Sequence, residues 1–173
     1  MARKLHIGGQ VRADGWEIFD ALSRPEVDHS GNAQDLSRFD DGTFDEIYAS
    51  HVIEHFDYNG PIQATLKEWH RALNLSGCLY VSFPDLAILS RMYSSGKLNL
   101  EQRFYVMRMV FGGHIDAFDY HLVGLDQDIM GSMLREAGFV SVERVRDFGL
   151  FPDTSRMVFS GVAISCNLVA FKR

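Results

Sequence analysis

Residues 44–56 read FDEIYASHVIEHF and gather His51, Glu54 and His55 into one short stretch. Two imidazoles and a carboxylate at that spacing can do two kinds of work. Spelled His-x-x-Glu-His on a helix, His51 and His55 could share a zinc ion, with Glu54 as the general base of a hydrolase. That reading needs a third ligand downstream and a long helix. Here the motif starts where a short apolar strand pattern breaks at Ala49-Ser50. The other kind of work is ligand binding, because a polar cluster just past the carboxyl end of a strand is where open α/β sheets hold small molecules. Ligand binding is the stronger reading, and no metal ligands are expected.

Three further polar groups follow apolar strand patterns. Gly8-Gly9 closes the pattern Lys4–Ile7, and two glycines let a backbone pass close to a ligand with free amides. The run does not continue as a dinucleotide fingerprint, since Gln10 comes next. Asp20 ends the strand pattern at residues 16–19, where a carboxylate can accept both hydroxyls of a ribose. Residues 31–36, GNAQDL, follow a weak strand at residues 27–29, and a carboxylate with a free amide, such as Asp35, can read an adenine edge. Downstream, residues 112–121 crowd His114, Asp119 and His121 with aromatic rings into a loop, and such loops often carry function. Residues 148–156, FGLFPDTSR, are a second loop of that kind.

The elements that must position these groups can be read from periodicity. Residues 61–73 repeat apolar positions at Ile62, Leu66, Trp69 and Leu73, the spacing of an amphipathic helix with Pro61 in its first turn. Gly77 is expected to cap it. Residues 78–83 are a continuously apolar strand, as when both faces are covered. Helices are expected at 87–93, 100–111 and 127–137, and strands at 139–145 and 162–171. Strands alternating with helices predict a doubly wound, mostly parallel α/β sheet. The last two strands, joined without a helix, should form an antiparallel hairpin.

At 173 residues the chain is read as one domain, 1–173. A net charge of -6 argues against bulk nucleic acid as a partner. There is no apolar run of membrane-spanning length and no signal-peptide pattern at the start. Cys78 and Cys166 sit in apolar runs and read as buried thiols, which suits the cytoplasm. Tyr93, Phe104, Tyr105, Phe111, Phe118 and Tyr120 hint at a partly apolar pocket, with plain core rings as the simpler reading. Monomer and homodimer both remain open.

Taken in order, LHIGG, DGW, Asp20, Asp35-Leu36, the FDEIYASHVIEHF block, and KEWHRAL followed by Ser76-Gly77 and FPDL resemble the Rossmann-like (class I) S-adenosylmethionine-dependent methyltransferases, small bacterial type. The resemblance covers nearly the whole chain. It implies a seven-stranded sheet whose last strand is antiparallel, and methyl transfer from S-adenosylmethionine to a small acceptor. It places Gly8, Gly9 and Gln10 under the methionine part of the cofactor and Asp20 on the ribose. Asp35 and Leu36 fall at the adenine, and Ser50, His51 and Val52, with His55 nearby, at the methionine end. A base, if used, is sought among His114, Asp119 and His121. The sequence departs from the family in two places. Gln10 replaces the second glycine of the family's G-x-G turn, and the span from Gln10 to Trp16 is too short for the usual first crossover helix. A binding module with the fold but no turnover is the alternative, and the zinc hydrolase is the third.

Overall fold

The structure, a computed structural model, describes residues 2–173. Seven strands form one sheet: β1 (Lys4–Ile7), β2 (Trp16–Asp20), β3 (His29–Ser30), β4 (Phe44–Ser50), β5 (Leu73–Pro84), β6 (Ser141–Val145) and β9 (Ser165–Phe171). Their order is β3-β2-β1-β4-β5-β9-β6. β1 to β5 are parallel, and β9 runs antiparallel to both β5 and β6. Two short strands, β7 (Val158–Phe159) and β8 (Val162–Ala163), form a separate ribbon before β9. The expected strand at 162–171 is therefore split, with Ile164 between its halves.

Four helices accompany the sheet: α1 (Pro61–Ala72), α2 (Leu86–Ser94), α3 (Leu100–Phe111) and α4 (Gln127–Ala137). Asp85, Asn99 and Asp126 cap the last three by accepting backbone amides in the first turn, which satisfies otherwise orphaned donors. Gly138 closes α4 in the left-handed region, where a side chain would be strained. Gly77 does not play the capping part expected of it for α1. The helix ends at Leu73, which turns extended and pairs with Phe44. A Cβ on Gly77 would meet the carbonyl oxygens of Asn74 and Asp45 at 3.0 and 3.1 Å, so glycine is there for close backbone approach.

The first crossover helix is missing, as the short spacing implies. The connections from β2 to β3 and from β3 to β4 carry no helix either. What fixes them instead is α1. The Trp69 indole donates to the Ala33 carbonyl (2.8 Å), the Arg71 guanidinium donates to the Leu36 and Phe39 carbonyls (3.1 and 3.0 Å), and Glu68 accepts from the Leu36 amide (3.2 Å). The KEWHRAL block thus holds in place, by side-chain to backbone bonds, a segment that would otherwise lack support.

The main core lies between the sheet and the α1/α4 pair. Leu5, Ile7, Ile47, Ala49, Leu79, Val81 and Leu168 meet Ile62, Leu66, Trp69, Met130 and Leu134. The opposite face has no helical layer over β1 and β2. There His6, Trp16, Tyr48 and Tyr80 pack in edge-to-face and tilted contacts beneath Phe148 and Phe151. The Tyr48 hydroxyl anchors that covering loop at Asp153 (2.8 Å) and Ser155 (3.2 Å). Residues 148–156 therefore cover the sheet instead of lining a pocket.

Candidate functional site

A cavity of about 860 Å³ opens at the carboxyl ends of β1, β2 and β4. The chain leaves β1 for β2 on one side and later returns to add β4 on the other, so the cavity sits at the switch point where doubly wound sheets bind ligands. Its volume is in the range of small-molecule and cofactor sites. Ile7, Gly8 and Gln10 come from the first turn, Asp20, Leu22 and Arg24 from the second, and Gly31 to Gln34 from the third. His51, Val52, His55 and Phe56 form the wall after β4. Ala117, Phe118, Tyr120 and Leu122 close the far side.

Of the residues singled out in the sequence, Gly8, Gln10, Asp20, His51, Val52 and His55 line this cavity. Gly8 is left-handed (φ 74°), and a Cβ there would lie 2.8 Å from Val52 Cγ2. Its amide is not free, because it donates to the Phe19 carbonyl (2.9 Å). Gly9 lies outside the lining. A Cβ on it would strike the His6 ring at 2.9 Å, so its smallness serves the packing behind the turn.

Asp20 accepts the Leu22 amide at Oδ1 (2.7 Å) and the Arg24 guanidinium at Oδ2 (3.1 Å). Each oxygen keeps a lone pair for a ligand hydroxyl. Arg24 also donates to the Gly9 carbonyl (2.8 Å) and pairs with Glu26 (2.6 Å). It is the only lysine or arginine on the wall among the described residues. Sequence reasoning passed over it, although its place four residues after Asp20 was the available signal.

Asp35, Leu36 and Ser50 are not brought to the cavity. Asp35 is turned to its own loop, where it accepts the Ser37 amide (2.9 Å), and the Ser37 hydroxyl and amide together lower its pKa. Leu36 is fully buried in the core, and the lining runs through Asn32, Ala33 and Gln34 instead. The displacement follows from Trp69 and Arg71, which grip the carbonyls of Ala33 and Leu36 and turn the following residues inward. Ser50 lies at the end of β4, two residues from Tyr48 and so on the aromatic face.

The loop after α3 contributes, but not through the residues first suspected. His114 adopts φ 55°, stacks on Tyr120 with ring centres 4.1 Å apart, and bonds the Phe111 carbonyl through Nε2 (2.8 Å). Asp119 accepts the Ile115 amide (3.3 Å). Both stabilise the loop from within and lie off the wall. His121 bonds the Met109 carbonyl through Nδ1 (3.1 Å) and faces Glu54. Of the aromatic set, Phe118 and Tyr120 line the cavity; Tyr93, Phe104, Tyr105 and Phe111 are exposed and lie outside it, Tyr93 and Phe104 lining a separate shallow pocket of about 200 Å³.

Residues 51–55 do not form the long helix that a zinc pair requires. His51 takes a left-handed conformation (φ 54°), and Ile53–His55 is a single 3-10 turn. The chain reverses there, which buries Glu54 completely and leaves His51 and His55 on the wall. Burial pushes the Glu54 carboxyl up, but the His51 imidazole, with Nδ1 3.3 Å from Oε1, outweighs it and holds the pKa below its ordinary value. Burial drives the pKa of His121 down, in spite of Glu54.

Residues 16–81 match the family model described as a methyltransferase domain. Structures similar to this one include a possible histamine N-methyltransferase from Thermotoga maritima (16% identity, TM-score 0.61, 100% of this chain and 83% of that one). A SAM-dependent methyltransferase from Archaeoglobus fulgidus is similar at 14% identity and TM-score 0.63, over 99% of this chain and 86% of that one. A possible exported protein from Bordetella parapertussis is similar at 12% identity and TM-score 0.60; this chain is covered over 99% but spans only 63% of that one. Among curated proteins, none matches the sequence. At these identities the structural likeness concerns the fold. No helix among the described residues is long and apolar enough to cross a membrane.

Proposed function

With the class I S-adenosylmethionine-dependent methyltransferase fold and the family match as premises, we propose that this chain transfers a methyl group from S-adenosylmethionine to a small acceptor. One observation carries the reading: the cavity at the sheet's switch point places Asp20 at the end of β2, where a cofactor ribose would sit. The residues fit such a cofactor. Phe19, Leu22 and Phe56 give the apolar surface an adenosine needs, and Gly31 passes close to the Phe19 ring, leaving no room for a side chain. Arg24 is already paired with Asp20 and Glu26 through Nη2 and Nε, so only its Nη1 could meet the cofactor's carboxylate, and the Gly8 amide is engaged by the Phe19 carbonyl.

The cofactor, when bound, supplies the reactive sulfonium methyl. The chain's part is alignment and exclusion of water. Val52 and Phe56 are apolar walls, and Phe118 and Tyr120, from the loop after α3, would cover the side from which an acceptor approaches. If the acceptor must lose a proton, the histidines on the wall are His51 and His55, with Asp57 the carboxylate beside them in sequence. That shifts the part first given to His114, Asp119 and His121. A small acceptor is favoured over bulk nucleic acid by the net charge of -6. The free thiols Cys78 and Cys166, the second of them buried, support a reducing, cytoplasmic setting. Titration calorimetry with S-adenosylhomocysteine tests the reading. We expect micromolar binding at one site per chain; no binding at millimolar ligand overturns it.

A further inference from the structure

We propose that Glu54, His55 and His121, with His51 beside them, form a binding site for a divalent first-row transition cation at the inner wall of the cavity. One ligand-capable atom from each of Glu54, His55 and His121 lies within 4.8 Å of the others. The argument rests on where the protons must be. A backbone carbonyl only accepts, so His121 Nδ1, at 3.1 Å from the Met109 carbonyl, carries a proton and leaves Nε2 with a lone pair. His55 is fixed in the same way by the Tyr120 carbonyl at 3.0 Å from Nδ1. Ser165 has one hydroxyl proton and gives it to the Thr154 carbonyl (2.9 Å), so His51 Nε2 must donate to Ser165 Oγ (2.9 Å). The lone pair of a neutral His51 is then on Nδ1.

Against these nitrogens stands Glu54. It is fully buried, and neither of its oxygens has a hydrogen-bond partner among the described residues. Its Oε1 lies 3.3 Å from His51 Nδ1 and 4.0 Å from His121 Nε2. With the imidazoles neutral, one buried anion and several lone pairs converge, so only a protonated His51 or a bound cation can supply the opposing charge. Such a group is costly unless positive charge sits in its midst. Histidines whose other nitrogen is fixed by a backbone carbonyl are the arrangement of metal ligands. A tetrahedral ion with bonds of about 2.0–2.1 Å sets its ligands roughly 3.4 Å apart, so little side-chain movement is needed. Imidazole ligands suit zinc, iron and nickel, whereas calcium and magnesium take oxygen sets.

This is not the zinc pair of the sequence motif. Glu54 is a ligand here and not a base, and His121 comes from a different loop. Because His55 also lines the cavity, a coordination position open on that side would face whatever occupies it. The cation site stands whether or not the cavity takes S-adenosylmethionine.

The test uses full-length protein stripped with a chelator and then titrated with Co²⁺ and Zn²⁺ by calorimetry and visible spectroscopy. One ion per chain is expected, with the strong visible bands of a low-coordinate Co²⁺ site. Glu54→Gln and His121→Gln should each weaken binding by at least about tenfold. Substoichiometric binding by the native chain, or affinity unchanged in both folded variants, overturns the proposal. If both variants fail to fold, the native ion count and Co²⁺ spectrum decide it. S-adenosylhomocysteine titrated into the same stripped protein reports the cavity separately.

Discussion

His6 makes the fold acid-sensitive by an amount that can be worked out. Its ring lies under Phe151 at 4.1 Å between centroids and against Tyr48 at 4.9 Å, with 6% of its surface exposed and Nδ1 without a partner among the described residues. Burial disfavours the imidazolium and pushes the pKa down to about 4 from 6.5, the Asp153 charge opposing only in part. The folded pKa is depressed, so on acidification the unfolded chain takes up the proton first. The stability is fully present above pH 6.5 and is lost as the pH falls toward 4. Between pH 7 and pH 5 the two titration curves separate by about 2 kcal/mol, at 1.36 kcal/mol per pKa unit. His6→Phe keeps a ring in the stack and removes the titrating nitrogen. Urea unfolding of both proteins at pH 7 and pH 5 isolates the residue, because the carboxylates contribute equally to each. Wild type should lose about 2 kcal/mol more than the variant on acidification. Superimposable profiles would refute the reasoning and mean that the folded state accommodates the proton, through Asp153.

Other outcomes follow from the site. Asp20→Asn should weaken S-adenosylhomocysteine binding about 10- to 100-fold in calorimetry, since a charged hydrogen bond contributes roughly 1.5–3 kcal/mol; affinity within twofold of wild type would remove Asp20 from the ribose. Gly8→Ala combines φ 74° with a Cβ 2.8 Å from Val52 Cγ2, and should cost about 1–2 kcal/mol in urea unfolding as well as affinity. Trp69→Phe removes the bond to the Ala33 carbonyl from a fully buried ring. It should lower stability by about 1–3 kcal/mol and also weaken S-adenosylhomocysteine binding, which a purely core role for Trp69 would not do.

Much of the fold was legible because its elements follow simple periods. The helices at 100–111 and 127–137 have the predicted bounds, and the antiparallel β9 was signalled by two apolar runs with no helix between them. The missing first crossover helix followed from counting residues from Gln10 to Trp16. The cavity wall was legible where a residue sits at or just past a strand end, as Asp20, His51 and Val52 do. It failed where long-range bonds decide direction. Leu36 belongs to the core because Glu68 and Arg71 hold its amide and carbonyl, and nothing within GNAQDL announces that. Glu54 looked like part of a helical face, but the left-handed His51 and the tight turn after it buried the side chain. His121 gained its importance only when the loop after α3 folded back on that turn, through the Leu122 amide on the Glu54 carbonyl (2.8 Å).

The crossovers without helices have a consequence for cooperativity. The segment from β3 to β4 has little hydrogen-bonded structure of its own, and its amides and carbonyls are held largely by three side chains of α1. That segment and the carboxyl half of α1 should therefore open together, as one unit in native-state hydrogen exchange. A ligand seated against Ala33 would raise the opening free energy of that unit by RT ln(1 + [L]/Kd). Amides of α1 around Glu68, which bonds the Leu36 amide and does not line the cavity, would then exchange more slowly although no ligand touches them.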